Sequence, residues 1–279
     1  MPLRNFRNTI RYTSIILVLV VHLGVAQQID TVEFIKIGAT LEFDKEVGSV
    51  RGKVFTEFEL LQAADSVYLD AVRMKITDME LRSLKVTSEE KKIWIHGPFQ
   101  KGEKYSTIFY YEAIPRQTLY FTGNQIWTQG QGKYTSHWLP SIDDMNDKIE
   151  FDLQILASHD QKVIANGQLE EIVLVEDRNA WRYDMDKPMS SYLAAIAIGN
   201  FEVHNLQSTS GVPIELYYEL KDSSKLEPTY RYTKDIFDFL ETEIGLPYPW
   251  QNYKQVPVRD FLYAGMENTS ATFFSEAFV

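Results

Sequence analysis

From residue 32 to residue 199 the chain is a succession of short β-forming segments separated by turn residues, and no other feature restricts the fold as much. Residues 34–43, 67–74, 92–96 and 105–111 are rich in β-branched and aromatic side chains, which pack well on a pleated surface. Residues 148–155 alternate apolar with polar, so one face is buried and the other meets water. Asn166-Gly167 stands between residues 162–165 and 168–174, the strongest short-range signal for a two-residue hairpin. Short strands with turns over this length predict an all-β domain, a large sandwich or bent sheet.

Beyond Phe201 the texture changes. Residues 213–218 form one more expected strand, and a helix follows. Ser224 is placed to cap it, with Glu227 completing a capping box and Pro228 in the first turn, where proline is tolerated. Thr233, Ile236, Phe237, Leu240 and Ile244 fall at helical spacing, Gly245 stands at the C-terminal cap, and Pro247-Tyr248-Pro249-Trp250 forbids continuation. The expected organisation is a β-domain over residues 27–205 and a second unit over 206–279. That second unit is small for an independent core, and its helix carries an apolar face that needs a further layer to pack on.

Composition narrows the function classes. Hydrophobic residues make up 44% and aromatics 13% of the chain, ample for a packed core. The absence of cysteine excludes disulfides, Cys-ligated zinc and thiol chemistry. Lys and Arg number 28 against 39 Asp and Glu, a net charge of −11 that argues against a duplex nucleic-acid binder. Arg4, Arg7 and Arg11 precede the apolar run 15–21, and Gly24-Val25-Ala26 supplies small residues before Gln27. This is the form of a secretory signal over residues 1–26, cleaved after Ala26, for a periplasmic or extracellular protein. Cleavage removes three Arg and no acid, taking the charge from −11 to −14. The alternative is an uncleaved membrane anchor, although the stretch 15–26 is short for a span and no stable span remains after cleavage.

Five histidines, His22, His96, His137, His159 and His204, include no H-x-x-x-H pair, so a helical zinc clamp is absent from the sequence. His137 beside Trp138 reads as structural. Neither a G-x-S-x-G elbow nor a G-x-G-x-x-G phosphate loop occurs, and Gln129-Gly130-Gln131-Gly132 has the wrong spacing for one. Asp143, Asp144 and Asp147 suit a turn in which Asp side chains bond their own backbone, with a hard cation as the alternative. The informative stretch is 261–272: small residues, then Glu267 and Asn268, then further β-formers. A carboxylate beside such a strand can hold an ammonium, and the strand's free N–H and C=O groups can pair with an extended peptide. Gly265 lets another backbone approach closely. The plain alternative is an exposed edge strand with a solvated glutamate.

Ala264-Gly265-Met266-Glu267-Asn268 resembles the G-x-M-E-N exopeptidase motif of the aminopeptidase N family, the gluzincin zinc aminopeptidases that include the leukotriene hydrolases. Pro247-Tyr248-Pro249-Trp250, Tyr253 and Val256 stand upstream as that family has them. The segments 125–132, His137-Trp138-Leu139-Pro140 and Asn146-Asp147-Lys148 are similar to its first-domain block, and Met189–Leu193 through Gly199-Asn200-Phe201 to its link into the catalytic domain. The similarity covers nearly all of the chain after residue 26, in the family's order.

The resemblance implies a mainly β chain, with a saddle-like antiparallel β-domain followed by the first α+β elements of a thermolysin-like catalytic domain. It implies that Glu267 binds the free α-amine of a peptide, that Ala264, Gly265 and Met266 lie along the substrate backbone, and that Asn268 helps hold the motif. It places Gln129 and Gln131 at the first specificity pocket. Many members carry Glu where Gln131 stands, and a neutral amide there weakens ammonium recognition. Met145 replaces a frequent Pro, a change in a turn. The family's zinc site, H-E-x-x-H with a further Glu, lies beyond the M-E-N motif, and none of it occurs within the 279 residues. The implied function is therefore the N-terminal part of an exported zinc metallo-aminopeptidase acting on peptides with a free N-terminus. Such a chain carries amine recognition but no catalytic residue and no metal ligand, with a C-terminal catalytic region as packing partner. The alternative is a non-catalytic β-module that binds peptides or a protein partner.

Overall fold

In the computed structural model, which describes residues 28–80 and 84–279, the alternating sequence pattern becomes a pattern of burial. The expected signal segment lies outside the described residues. Strand β1 (Val32–Asp44) buries Phe34, then Ile37, Ala39 and Leu41. The extra residue between Phe34 and Ile37 is a bulge against β2 (Ser49–Leu60), which is why the alternation in this segment is only partial.

The chain continues through β3 (Ala64–Asp70), β4 (Lys75–Met79), β5 (Lys85–Ser88), β6 (Lys92–Phe99) and β7 (Lys104–Ala113). It goes on through β8 (Leu119–Thr122), β9 (Gln125–Thr128), β10 (Glu150–Ser158), β11 (Lys162–Ala165), β12 (Gln168–Val175), β13 (Arg178–Asp184) and β14 (Ile196–Gly199). These strands make a seven-stranded sheet ordered β12-β13-β10-β1-β2-β7-β4, a three-stranded sheet β3-β6-β5 and a four-stranded sheet β11-β14-β9-β8. All pairs are antiparallel except β1 with β10. One apolar core, with Phe34, Phe58, Phe109, Trp138 and Phe151 among its largest members, joins residues of all three sheets.

The rest of the chain forms β15 (Phe201–Gln207), β16 (Pro213–Glu219), α1 (Leu226–Tyr230), α2 (Thr233–Ile244), β17 (Tyr253–Val258), β18 (Gly265–Met266) and β19 (Ala271–Ser275). They build a five-stranded sheet ordered β15-β16-β17-β19-β18, in which β16, β17 and β19 run parallel and the two helices make the β16–β17 crossover. Residue 205, the expected boundary between the two units, lies within β15. The molecule is mainly β, as the sequence implies. Among the described residues no helix is long and apolar enough to cross a membrane.

Two local expectations are corrected. Asn166-Gly167 is not a hairpin: β11 pairs with β14 in the four-stranded sheet, while β12 pairs with β13 in the seven-stranded one. The dipeptide turns a corner between sheets. Gly167 has the positive φ (80°) that the pair signals, but Asn166 does not, as a type I′ turn would require. Gly167 also lies so close to the Asp184 carbonyl that a Cβ would overlap it. The helix, too, does not start on a Ser224–Glu227 capping box. Ser224 lies inside a 3-10 turn (Leu220–Lys225), α1 has no side-chain cap, and Arg231-Tyr232 separates it from α2. Gly245 closes α2 in the left-handed conformation (φ 71°), as expected.

Only part of the apolar face of α2 is covered. Thr233 and Phe237 are buried, whereas Ile236, Leu240 and Ile244 are exposed and, with Leu246, Tyr248 and Phe274, line a groove of about 800 Å³.

Candidate functional site

The two groups of residues singled out in the sequence reach one place along different paths. All four residues of β9 are buried, and the strand delivers Gln129, 3% exposed, whose N–H donates to the Thr118 carbonyl at 2.7 Å. Gly130 packs against the Tyr192 carbonyl and the Thr135 hydroxyl so closely that a Cβ would overlap both. The chain then surfaces, leaving Gln131 exposed with its side-chain oxygen accepting from Gln129 Nε2 at 3.4 Å.

From the other side, the chain leaves β17 and runs through residues 259–263 into Ala264. Gly265 and Met266 form β18, opposite Phe274 and Phe273 of β19, and Ser275 N–H donates to the Ala264 carbonyl at 3.2 Å. Strand β18 ends its sheet, so its outer edge has no strand partner among the described residues. A Cβ on Gly265 would meet nothing nearer than 3.5 Å, so packing within the chain does not demand glycine there. Glu267 is exposed between buried Met266 and Asn268, and its placement is inherited from those two neighbours.

The segment Tyr192-Leu193 is where the groups meet. Gly130 rests on the Tyr192 carbonyl, and the Asn268 amide donates to the Leu193 carbonyl at 3.2 Å. Asn268 hydrogen-bonds neither glutamine. It is tied to them through this shared support.

Two further clusters hold the arrangement, and neither is among the site residues that the sequence points to. Trp127 of β9 donates its indole N–H to the Arg259 carbonyl, lies 4.1 Å from the Tyr120 ring centre in a stacked pair and touches Phe261. Beside it, Gln125 accepts from Arg259 N–H at 2.8 Å and donates to Glu219 at 2.9 Å, while the Arg259 guanidinium donates to Glu219 at 2.6 Å. Burial alone would raise the Glu219 carboxyl, but hydrogen bonds from Arg259 and Lys221 outweigh it and hold the group below its usual range.

The second cluster is the Asn166-Gly167 corner with Lys254. Lys254, 1% exposed, donates its ammonium to the carbonyls of Ala165 (3.1 Å) and Gly167 and to Asn252 Oδ1 (3.1 Å). Desolvation pushes its pKa down to about 8, opposed by the charge of Glu215. The sequence does contain a signal for this residue: Lys254, Val256 and Val258 share the inward face of β17 by period two.

The remaining polar candidates serve local structure. Asp144 accepts from Asn146 N–H at 2.9 Å, the turn use expected of it, and Asp143 accepts from Ser136 Oγ at 2.6 Å. His137 packs edge-on against Tyr134. The group of three acids close enough to share a cation, Glu150, Asp152 and Asp184, contains no histidine and holds the Lys36 ammonium at 2.7 Å from Glu150 and 2.8 Å from Asp152. Such a donor set does not fit a zinc site built on histidine.

Two family profiles match the chain. The profile of the peptidase M1 N-terminal domain matches residues 39–193, and that of the peptidase family M1 domain matches residues 229–279. Glutamyl aminopeptidase of Bos taurus is 27% identical over 132 residues, 46% of this chain and 14% of that protein. Leucyl aminopeptidase of Saccharolobus solfataricus is 22% identical over 249 residues, 85% of this chain and 31% of that protein. The chain thus spans less than a third of the length of these relatives. The profile covers more than half of the residues, in a β-domain whose strand β9 leads into Gln129 and whose neighbour carries Gly265-Met266-Glu267-Asn268, and the chain belongs to the peptidase M1 family of aminopeptidases.

Proposed function

We propose that this chain supplies the substrate-recognition part of an exported zinc metallo-aminopeptidase, with Glu267 receiving the free α-amine of a peptide. The observation that carries the reading is the setting of Glu267. It is an exposed carboxylate held between buried Met266 and Asn268, at the end of an edge strand, beside the support that also carries Gln129 and Gln131. An extended peptide adding to the outer edge of β18 at Ala264, Gly265 and Met266 would present its ammonium to that carboxylate. Gln129 and Gln131 would offer neutral amide oxygens to the same group.

The names of the relatives, both aminopeptidases, support the peptide substrate class. Zinc belongs to this reading as the Lewis acid that would activate water, held by the H-E-x-x-H site that the family resemblance implies. The uncovered groove along Ile236, Leu240 and Ile244 supports a further layer of peptidase domain as its packing partner. The basic and apolar segment before Gln27 supports export.

The test is calorimetric titration with trialanine amide and its N-acetylated form. A free-amine preference of about tenfold or more that Glu267→Gln abolishes is expected from a charge-assisted contact. Equal affinity of the wild-type chain for both peptides would overturn the reading.

A further inference from the structure

We propose that Asn166 is a positioning residue of the amine site, holding the turn 268–270, and with it Glu267, in the register that a peptide ammonium requires. The proposal rests on the placement of the amine at Glu267. Its own basis is the corner between β11 and β12, where a hairpin would have left the asparagine at the surface.

Asn166 is 1% exposed and every hydrogen-bonding group of its side chain is used. Its oxygen accepts from Ala195 N–H at 2.6 Å, and its amide donates to the carbonyls of Leu193 at 3.0 Å and Thr269 at 2.6 Å. The Leu193 carbonyl also receives the Asn268 amide, so one oxygen gathers both asparagines. The next residue continues the pattern, with Gly167 N–H donating to Ser270 Oγ at 2.8 Å. Each of Asn268, Thr269 and Ser270 therefore has a bond to the first domain.

Within its own domain the turn has less to hold it. Ala271 N–H donates to the Asn268 carbonyl at 3.0 Å and Lys254 N–H to the Ser270 carbonyl at 2.8 Å. Ser270 sits at φ 59°, in the left-handed region that a serine adopts only when its surroundings over-determine it. Those surroundings are the corner, itself clamped by Asn252 and Lys254 on the Gly167 carbonyl. The seating of the first domain on the second thus reaches Glu267 through three consecutive residues.

The test is the ratio of affinities for trialanine amide and its N-acetylated form in the 279-residue chain, with hydrogen exchange at residues 267–271. A loss of folded protein lowers both affinities together and leaves the ratio unchanged, whereas a displaced carboxylate lowers the ratio. Asn166→Ala, which removes all three of these hydrogen bonds, is expected to reduce the ratio about tenfold and to accelerate exchange in the turn. Asn166→Asp keeps the acceptor for Ala195 and loses both donors, so it should fall similarly. Ile155→Val, in the distant core, should leave the ratio alone. Should Asn166→Ala fail to fold, Ser270→Ala carries the same test, with an expected loss of about threefold. A discriminating wild type whose Asn166 and Ser270 variants keep the wild-type ratio overturns the proposal alone. A wild type that does not discriminate overturns the amine site and this proposal with it.

Discussion

The indole N–H of Trp127 donates to the main-chain carbonyl of Arg259 at 3.0 Å, a bond between the strand that leads into Gln129 and the segment that leads to Ala264. The same N–H lies 3.1 Å from Thr122 Oγ1, and the ring stacks on Tyr120 and packs on Phe261. The two functions of the side chain can be separated. Phenylalanine keeps most of the apolar contact and removes the donor, leaving the partly buried Arg259 carbonyl without it. Trp127→Phe should cost about 1–2 kcal/mol in urea denaturation. Trp127→Ala, which also opens a cavity, should cost about 3–5 kcal/mol. A Trp127→Phe variant as stable as the wild type would mean that the indole N–H contributes nothing across the seam.

Asp143 makes the fold sensitive to pH. Desolvation raises its pKa to about 7, the Asp70 charge adds to this, and the hydrogen bond from Ser136 opposes it. Burial raises Asp70 as well. A carboxyl whose folded pKa exceeds its unfolded value contributes stability that is complete below the unfolded value, near 3.8, and is lost as pH rises through about 7. Asparagine keeps an acceptor for Ser136 and cannot ionise. Asp143→Asn should therefore gain about 2 kcal/mol at pH 8 and little at pH 4, measured as denaturation midpoints across that range. A pH-independent difference would contradict the burial argument.

The glycines of the two motif segments have opposite reasons for being glycine. Gly130 is fixed by crowding, with the Thr135 hydroxyl 2.6 Å from where a Cβ would stand and the Tyr192 carbonyl closer still. Gly265 has no neighbour within 3.5 Å of that point. Gly130→Ala should destabilise the chain by roughly 1–3 kcal/mol and disturb Gln129, whereas Gly265→Ala should fold with a change under about 0.5 kcal/mol. If Gly265→Ala nevertheless weakens peptide binding, the glycine serves the approach of another backbone from outside the sheet.

Periodicity and motif spacing made the strands and the motif segment legible in the sequence, because both are local. The burial of alternate residues in β10 and the C-terminal stop at Gly245 follow from side chains close along the chain. What periodicity misses is the corner at Asn166. A dipeptide that signals a hairpin by its backbone preference was drawn into another role by partners 27, 29 and 103 residues away. The helix starts later than its capping residues signal, for a related reason. Residues 220–225 wind into a 3-10 turn in which Lys221 meets Glu219 at 3.0 Å, and Ser224 is left without a capping bond. Lys254 stood in the alternating pattern of β17 all along, but a charge on an inward face shows its purpose only when the carbonyls of Ala165 and Gly167 arrive from the first domain.

Gln131 offers a gain of function in place of a loss. It is exposed beside Gln129, and its side-chain oxygen is already directed at that neighbour's amide at 3.4 Å. A glutamate at this position keeps the size and the acceptor and adds a charge near the ammonium assigned to Glu267. Exposure to solvent limits what that charge can contribute, so Gln131→Glu should improve the preference for a free over an acetylated peptide by roughly three- to tenfold. The improvement should shrink in high salt, since an exposed ion pair is screened. Titration of both peptides at low and high ionic strength checks this. A gain for both peptides alike would mean that residue 131 contacts the peptide away from its amine, and no gain for either would place the ammonium out of reach of this side chain.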